Sequence, residues 1–344
     1  MKATLMYGPG DVRVEELAAP QIVNPTDAVV KVTVACICGS DLWDYNDSAT
    51  LQVGRPRGHE FIGVVESLGS DVTSLNVGDL VVAPFVASCG ICDYCLDGLT
   101  TSCRKIAFFG HGGEAGGQSE AVRVPNADGT LVKLPVGMDS PLIPSLLTLS
   151  DVMCTGHHAA VTAGVQAGET VVVIGDGAVG LCAVIAAKRL GAKEIILMGR
   201  HEARTDLGRE FGATQVVAER GEVGIAAVKA LTNGDGAKRV LECVGTQDAI
   251  DTALAVVRAG GVIGRVGAAQ YSQIGFGFGP LMSNITITGG VAPARTYIEE
   301  LMVDVLNGSI QPGKVFDLEV SLEEVAKGYE AMANRTHLKV LVRP

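Results

Sequence analysis

Nine cysteines are spread through this chain of 344 residues, and four of them crowd into Cys89-x-x-Cys92-x-x-Cys95-x7-Cys103. Four thiolates at that spacing can surround one tetrahedral zinc ion, and a site closed by four protein sulfurs leaves no position for a substrate. Its work would be to hold a loop that lacks a core of its own. Two other readings stay open, four reduced surface thiols or an iron–sulfur cluster. A second set is dispersed: Cys38 in Cys38-Gly-Ser-Asp41, His59 and Glu60 in Gly58-His-Glu60, and Asp151 with Cys154 just before Thr155-Gly156. Taken singly, each has an ordinary explanation as a core thiol, a hydrogen-bonded imidazole or a helix cap. What raises their interest is the stretch that accompanies them.

That stretch is Val171-Val-Val-Ile-Gly-Asp-Gly-Ala-Val-Gly180, a β-branched run that breaks into Gly175-x-Gly177-x-x-Gly180 and then into an apolar helical pattern. Gly175 suits a tight turn, Gly177 lets the backbone approach a pyrophosphate, and Gly180 lets the helix lie close on the strand. Ala178 and Val179 open that helix, whose free N–H groups would face the phosphates. A dinucleotide is the expected ligand. Binders of NAD place Asp or Glu at the end of the second strand of such a domain, where it bonds the ribose hydroxyls and repels a 2′-phosphate. Here Ile195-Ile-Leu-Met198 runs into Gly199-Arg200-His201. Arg200 suits a bidentate phosphate contact, with Arg204 a second candidate one turn on, so NADP is favoured. The alternative is NAD, with Arg200 stacked on the adenine.

These residues need elements to hold them, and the length suggests two domains. Residues 1–152 read as short alternating strands, among them Asp27–Val34, Phe61–Glu66 and Asp79–Ala83, which predict a β-rich, partly closed antiparallel domain carrying the four-Cys lobe at about 88–104. Residues 153–292 alternate apolar helices with the strands Val171–Ile174, Ile195–Met198, Val216–Ala218, Val240–Cys243, Gly261–Val266 and Ile285–Thr288. That is the pattern of a doubly wound parallel sheet in an α/β Rossmann domain. Residues 293–344, ending in Leu338-Lys-Val-Leu-Val342, are expected to rejoin the first domain. The net charge of −11 argues against a nucleic-acid partner. No apolar run approaches the roughly 18 residues of a membrane span, and the start lacks an export core, so a cytoplasmic location is expected.

In order and spacing the chain resembles the zinc-containing medium-chain alcohol dehydrogenases over nearly its whole length. The resemblance implies that Cys38, His59 and Asp151 bind a catalytic zinc. Asp151 takes precedence over Cys154 because the family's third ligand stands four residues before a Thr-Gly pair. Glu60 would lie beside the metal, Ser40 would bond the substrate oxygen, and Asp41 would orient His59. Cys89, Cys92, Cys95 and Cys103 would hold a structural zinc, making two zinc ions per subunit, and Lys339 would face the pyrophosphate. Many relatives carry a histidine where this chain has Trp43, which would line the substrate pocket or pack beneath the loop. The implied activity is hydride transfer between NADP(H) and a secondary alcohol or polyol, or the matching ketone or aldehyde. Formaldehyde- and threonine-type dehydrogenases on the same scaffold, or a non-catalytic cofactor binder, are the alternatives. A homodimer or homotetramer is expected, since the strand at Ile285–Thr288 falls at a sheet edge.

Overall fold

The computed structural model describes all residues except 48–51, 111–113 and 272. It divides into two compact units, one made of Met1–Asp151 with Pro293–Pro344, the other of Val152–Ala292. In chain order the first unit opens with strands β1 (Lys2–Gly8), β2 (Asp11–Glu16), β3 (Ala28–Cys36), β4 (Arg55–Pro56), β5 (Phe61–Leu68), β6 (Leu80–Ala83), β7 (Val86–Ala87), β8 (Ala107–Phe108), β9 (Ala121–Val124) and β10 (Val132–Lys133). Among them lie the short helices α1 (Asp41–Asn46), α2 (Asp93–Leu96), α3 (Ala127–Thr130) and α4 (Ile143–Leu147). The second unit begins with α5 (Val152–Thr162) and alternates β11 (Thr170–Ile174), α6 (Ala178–Arg189), β12 (Glu194–Met198), α7 (Glu202–Phe211), β13 (Gln215–Val217), α8 (Gly221–Leu231), β14 (Ala237–Glu242), α9 (Gln247–Val256), β15 (Val257–Arg265), α10 (Phe278–Met282) and β16 (Thr286–Gly289). The tail returns to the first unit with α11 (Ala294–Leu306), β17 (Leu318–Ser321), α12 (Val325–Ala333) and β18 (Val340–Arg343).

In the second unit all six strands are parallel, in the order β13-β12-β11-β14-β15-β16. This is the doubly wound arrangement, with the chain reversing direction across the sheet between β11 and β14. Val171, Val172 and Val173 are fully buried, as a strand covered on both faces requires. The core joins Val172, Ile196, Val240 and Ile263 to Ala249 and Ala253 of α9.

The main sheet of the first unit runs β10-β6-β5-β3-β18-β17, with β9 also on β3. Its pairings are antiparallel except β17 with β18, which are parallel because α12 makes a crossover between them. The edge strands β10 and β17 do not pair with each other among the described residues, so the expected partial closure is not seen as a hydrogen-bonded ring. Met6, Val30, Ile37, Phe61, Val122 and Tyr329 belong to its core. Among the described residues no helix is long and apolar enough to cross a membrane.

Candidate functional site

β3 and β5 pair with Ala35 opposite Phe61, so the residues that follow β3 come beside those that precede β5. Cys38 therefore meets His59 and Glu60. Gly58 has φ +97°, and a Cβ there would stand 2.2 Å from the Gln118 backbone nitrogen, so the chain can turn into His59 only through glycine. Asp151 arrives from α4 by way of the turn Thr148–Ser150, whose Ser150 carbonyl accepts the Phe85 N–H at 3.0 Å. The Cys38 sulfur lies 3.6 Å from Asp151 Oδ2, and His59 Nε2 lies 3.6 Å from the same oxygen. One ligand atom from each of Cys38, His59, Glu60 and Asp151 falls within 4.8 Å of the others. Cys154, the competing thiol, is a fully buried residue of α5 and is not in this cluster.

A sulfur and an oxygen bound to one tetrahedral zinc stand about 3.6 Å apart, given bonds of about 2.3 and 2.1 Å. The donors thus fit zinc in type and spacing. Their electrostatics ask for a cation as well. Burial pulls the His59 pKa down, yet the Cys38, Asp151 and Asp41 groups around it hold it well above its ordinary value. Burial pushes the Cys38 thiol up, with His59 opposing. Oε2 of Glu60, a residue with no exposed surface, has no hydrogen-bond partner. A buried polar atom left in that state is costly unless a ligand completes it.

The surroundings differ from expectation in two places. Asp41 Oδ1 is 3.9 Å from His59 Nδ1, beyond hydrogen-bond reach. Its Oδ2 instead accepts the Cys38 N–H at 3.1 Å and Gln118 Nε2 at 3.2 Å, so Asp41 fixes the backbone that carries Cys38 rather than the imidazole. Lys339 does not face a pyrophosphate: it is 1 % exposed, and its Nζ donates to Glu60 Oε1 at 2.7 Å and to the Ile37 carbonyl at 3.3 Å. The register of β18 on β3, with Leu341 opposite Cys36, brings it there. Sequence reasoning also missed Gln118 and Tyr329. The Tyr329 hydroxyl donates to Gln118 Oε1 at 3.0 Å, extending the network from Asp41 into α12. Ser40 precedes α1 and makes no capping bond, and Trp43 on that helix is 41 % exposed.

In the four-cysteine lobe the sulfur separations are 3.5 Å for Cys92–Cys95, 3.5 Å for Cys89–Cys103 and 4.0 Å for Cys92–Cys103. Four sulfurs around one zinc at about 2.3 Å stand about 3.8 Å from one another, whereas a disulfide needs about 2.05 Å. The Cys89 and Lys105 N–H groups donate to the Cys103 sulfur at 3.2 and 3.3 Å. N–H groups of Arg104 and Cys95 hold the Cys92 thiol down to about 6, while burial, with Cys92 and Cys103 beside it, pushes the Cys95 thiol up to about 12. Ile91, Leu96 and Leu99 point outward, so the lobe has little core to keep it folded.

In the second unit the three fingerprint glycines meet three different demands. Gly175 turns at φ +111°, a Cβ at Gly177 would meet nothing within 4 Å, and one at Gly180 would stand 1.9 Å from the Gly175 carbonyl oxygen. Gly177 caps α6 without a side chain, leaving the N–H groups of Ala178, Val179 and Gly180 for a ligand. A cavity of about 370 Å³ opens beyond the carboxyl ends of β11, β12 and β13, where doubly wound sheets bind ligands. Gly175, Gly199, Val244 and Arg220 line it. Arg220, just ahead of α8, is a cation that sequence reasoning did not single out. Arg200 is exposed and Arg204 sits half-buried in the first turn of α7.

Residues 24–136 match the family described as alcohol dehydrogenase GroES-like domain, and residues 178–307 match zinc-binding dehydrogenase. The zinc-type alcohol dehydrogenase B of Aspergillus flavus is 35% identical over 337 residues, covering 96% of this chain and 78% of that one. The glutathione-independent formaldehyde dehydrogenase of Bacillus subtilis is 30% identical, over 100% of this chain and 97% of its own. Among solved structures, the alcohol dehydrogenase TADH from Thermus sp. ATN1 superposes with a TM-score of 0.92 at 33% identity, covering 100% of this chain and 99% of that one. With the ligand cluster, the four-sulfur lobe and the glycine turn all present, the chain belongs to the zinc-containing medium-chain alcohol dehydrogenase family.

Proposed function

We propose that this oxidoreductase transfers hydride between NADP(H) and a secondary alcohol or polyol, or the matching ketone or aldehyde. The observation that carries the reading is the convergence of Cys38, His59, Glu60 and Asp151 on one point, with ligand atoms within 4.8 Å of each other. Cys38, His59 and Asp151 would hold the catalytic zinc, and the four lobe cysteines a structural one. When bound, zinc would supply Lewis-acid polarisation of the substrate oxygen, and the nicotinamide would supply the two-electron chemistry. Ser40, which makes no cap bond, would accept the hydrogen bond of the substrate hydroxyl and, as it takes that proton, pass its own on toward solvent, while Trp43 would offer an apolar wall to the carbon side. Asp41 would keep the Cys38 loop in place through the N–H it accepts. NADP is favoured because Gly199 offers no carboxylate for a ribose and the next residue, Arg200, is an exposed guanidinium.

Two zinc ions per chain together with alcohol-dependent NADPH formation at 340 nm would be the expected result; one zinc or none would sink the reading. Arg200→Ala should raise the NADP Kd about ten- to a hundredfold and change NAD little, as loss of one charge-assisted bond implies. Equal weakening of both cofactors would refute the 2′-phosphate contact. A formaldehyde dehydrogenase is the second reading, favoured by the full-length similarity to the Bacillus subtilis enzyme of that name. Formaldehyde turnover outpacing every secondary alcohol in the same panel would select it. We further propose a homodimer or homotetramer, because β16 is an edge strand of the parallel sheet, and a monomeric mass by light scattering would refute this. None of the nine cysteines is in a disulfide, which suits the reducing cytoplasm we propose as its location.

A further inference from the structure

The middle residue of the glycine turn is Asp176, and its side chain is spent on the end of the next strand. Its Oδ2 accepts the Arg200 N–H at 2.8 Å and the His201 N–H at 2.9 Å, and lies 2.9 Å from His201 Nδ1. Asp176 is 5 % exposed. The Gly199–His201 turn is therefore folded around an anion that the protein itself supplies. Residue 199 is constrained by the same contact, since a Cβ there would stand 2.5 Å from the Asp176 Cβ and 3.0 Å from its Oδ2. Position 199 is where a ribose-binding carboxylate would have to originate.

We propose that Asp176 is a positioning residue that sets cofactor specificity: by gripping the Gly199–His201 turn it bars a carboxylate from position 199 and presents Arg200 to the 2′-phosphate. The inference rests on the NADP reading above and explains how this chain enforces it. The Arg200 and His201 N–H groups are both tied to this carboxylate, which anchors the end of the strand. The Arg200 side chain, held between two anchored amides, is the exposed group of the turn and has no partner among the described residues. The three partners of Asp176 all fall on Oδ2, so only Oδ1 would be left for a ribose hydroxyl, and the probes below separate that role from positioning.

The test uses zinc-loaded enzyme and two probes that differ only at the group in question, 2′,5′-ADP and 5′-AMP, with Kd measured by calorimetry. Wild type should bind 2′,5′-ADP the more tightly. Asp176→Gly should weaken 2′,5′-ADP about tenfold and 5′-AMP less than about threefold, the scale of one misplaced charge-assisted bond. Asp176→Asn keeps an acceptor of the same shape and should hold the ratio within about threefold. Gly199→Asp alone should lower the melting temperature without creating a preference for 5′-AMP, whereas Asp176→Gly combined with Gly199→Asp should create one, a non-additivity that independent sites would not show. Amide exchange at Arg200 and His201 should quicken in Asp176→Gly. An unchanged probe ratio in Asp176→Gly overturns the proposal, as does a loss of 5′-AMP at least equal to that of 2′,5′-ADP, which would make Asp176 a ribose ligand. A stable Gly199→Asp single variant that prefers 5′-AMP overturns the steric part. Failure of the NADP reading looks different, since wild type itself would then prefer 5′-AMP.

Discussion

Replacing Lys339 with Met should expose how much of the first unit depends on one buried charge. Its ammonium and Glu60 Oε1 are 2.7 Å apart with side-chain exposures of 2% and 0%. Met retains most of the buried stem, so the change removes charge more than volume. Removing one partner of a buried pair costs about 3–5 kcal/mol, because the other charge stays behind unpaired. A second limit comes from protonation. Glu60 can escape by taking up a proton, at about 1.4 kcal/mol per pH unit above the ordinary value of 4.5, which gives about 2 kcal/mol at pH 6 and close to 5 at pH 8. In the parent, burial already raises the Glu60 pKa against the opposing pull of Lys339, while Cys36 and Glu60 beside it hold Lys339 well above its ordinary value in spite of burial. The two partners thus pull unequally. We take the ammonium as permanently charged and Glu60 as the member that is protonated first, since its Oε2 has no donor. A lysine raised in the fold contributes fully below its unfolded value and is lost only as pH passes its folded one, so Lys339 itself adds no slope between pH 6 and 8. In the variant a carboxyl raised further loses stability as pH rises through that window. For a unit of roughly 200 residues the loss at pH 7 corresponds to about 6–15 °C in melting temperature. Glu60→Gln added to Lys339→Met should restore at least half. Thermal and urea unfolding at pH 6, 7 and 8 would decide. A variant within about 1 kcal/mol of the parent at pH 8, or a deficit that does not grow with pH, refutes the reasoning.

Cys95→Ser should leave one zinc per chain where the parent is expected to hold two and should lower the melting temperature, since three sulfurs cannot close the lobe; metal analysis showing both ions retained at parental stability would refute the structural role. Burial pushes the Glu169 carboxyl up, but hydrogen bonds from Arg239, Lys238 and the Gln166 N–H outweigh it and bring the pKa down to about 2. A depressed carboxylate stabilises above its unfolded value of about 4.5 and loses that contribution as pH falls toward 2, on the order of 2–3 kcal/mol. Glu169→Gln should therefore be destabilised at pH 7 and lose most of that deficit near pH 3, and a deficit equal at both would show that the charge is not what matters.

What could be read from the sequence was what acts at short range along the chain. The glycine fingerprint was legible because each glycine answers a demand set within a few residues, a turn at Gly175 or the contact of Gly180 with the Gly175 carbonyl. The four-cysteine lobe was legible for the same reason. Strand positions followed from apolar runs, although β15 starts at Val257, four residues ahead of the expected Gly261, because pairing with β14 continues across an irregularity after Ala237. Side chains whose partners lie far along the chain were misread or missed. Lys339 and Glu60 are 279 residues apart, and Tyr329 reaches Gln118 across 211. Nothing near Gly199 announces that Asp176 occupies the space its Cβ would need. Asp41 was placed in the right neighbourhood, but spacing alone could not say which of two donors it would serve.

The tail of the first unit reaches the ligand cluster through the register of β18 on β3. With β18 on β3 at Leu341 opposite Cys36, Lys339 falls level with the turn that carries Cys38, and its Nζ binds both the Ile37 carbonyl before that cysteine and Glu60 beyond His59. One ammonium therefore braces both segments that supply the cluster. It occupies only Oε1, and Oε2 is left without a protein donor. A carboxylate buried with one oxygen paired and the other bare is poorly satisfied by the protein alone, at a cost of about 1–3 kcal/mol. Glu60 is also one of the four residues whose ligand atoms converge. The fold thus keeps a partly neutralised carboxylate within the cluster. Held by Lys339, it would be less free to compete with Asp151 for a cation than an unpaired glutamate would be. A shift of β18 by one residue would turn Lys339 to the opposite face of the sheet and leave Glu60 charged and alone beside Cys38 and Asp151.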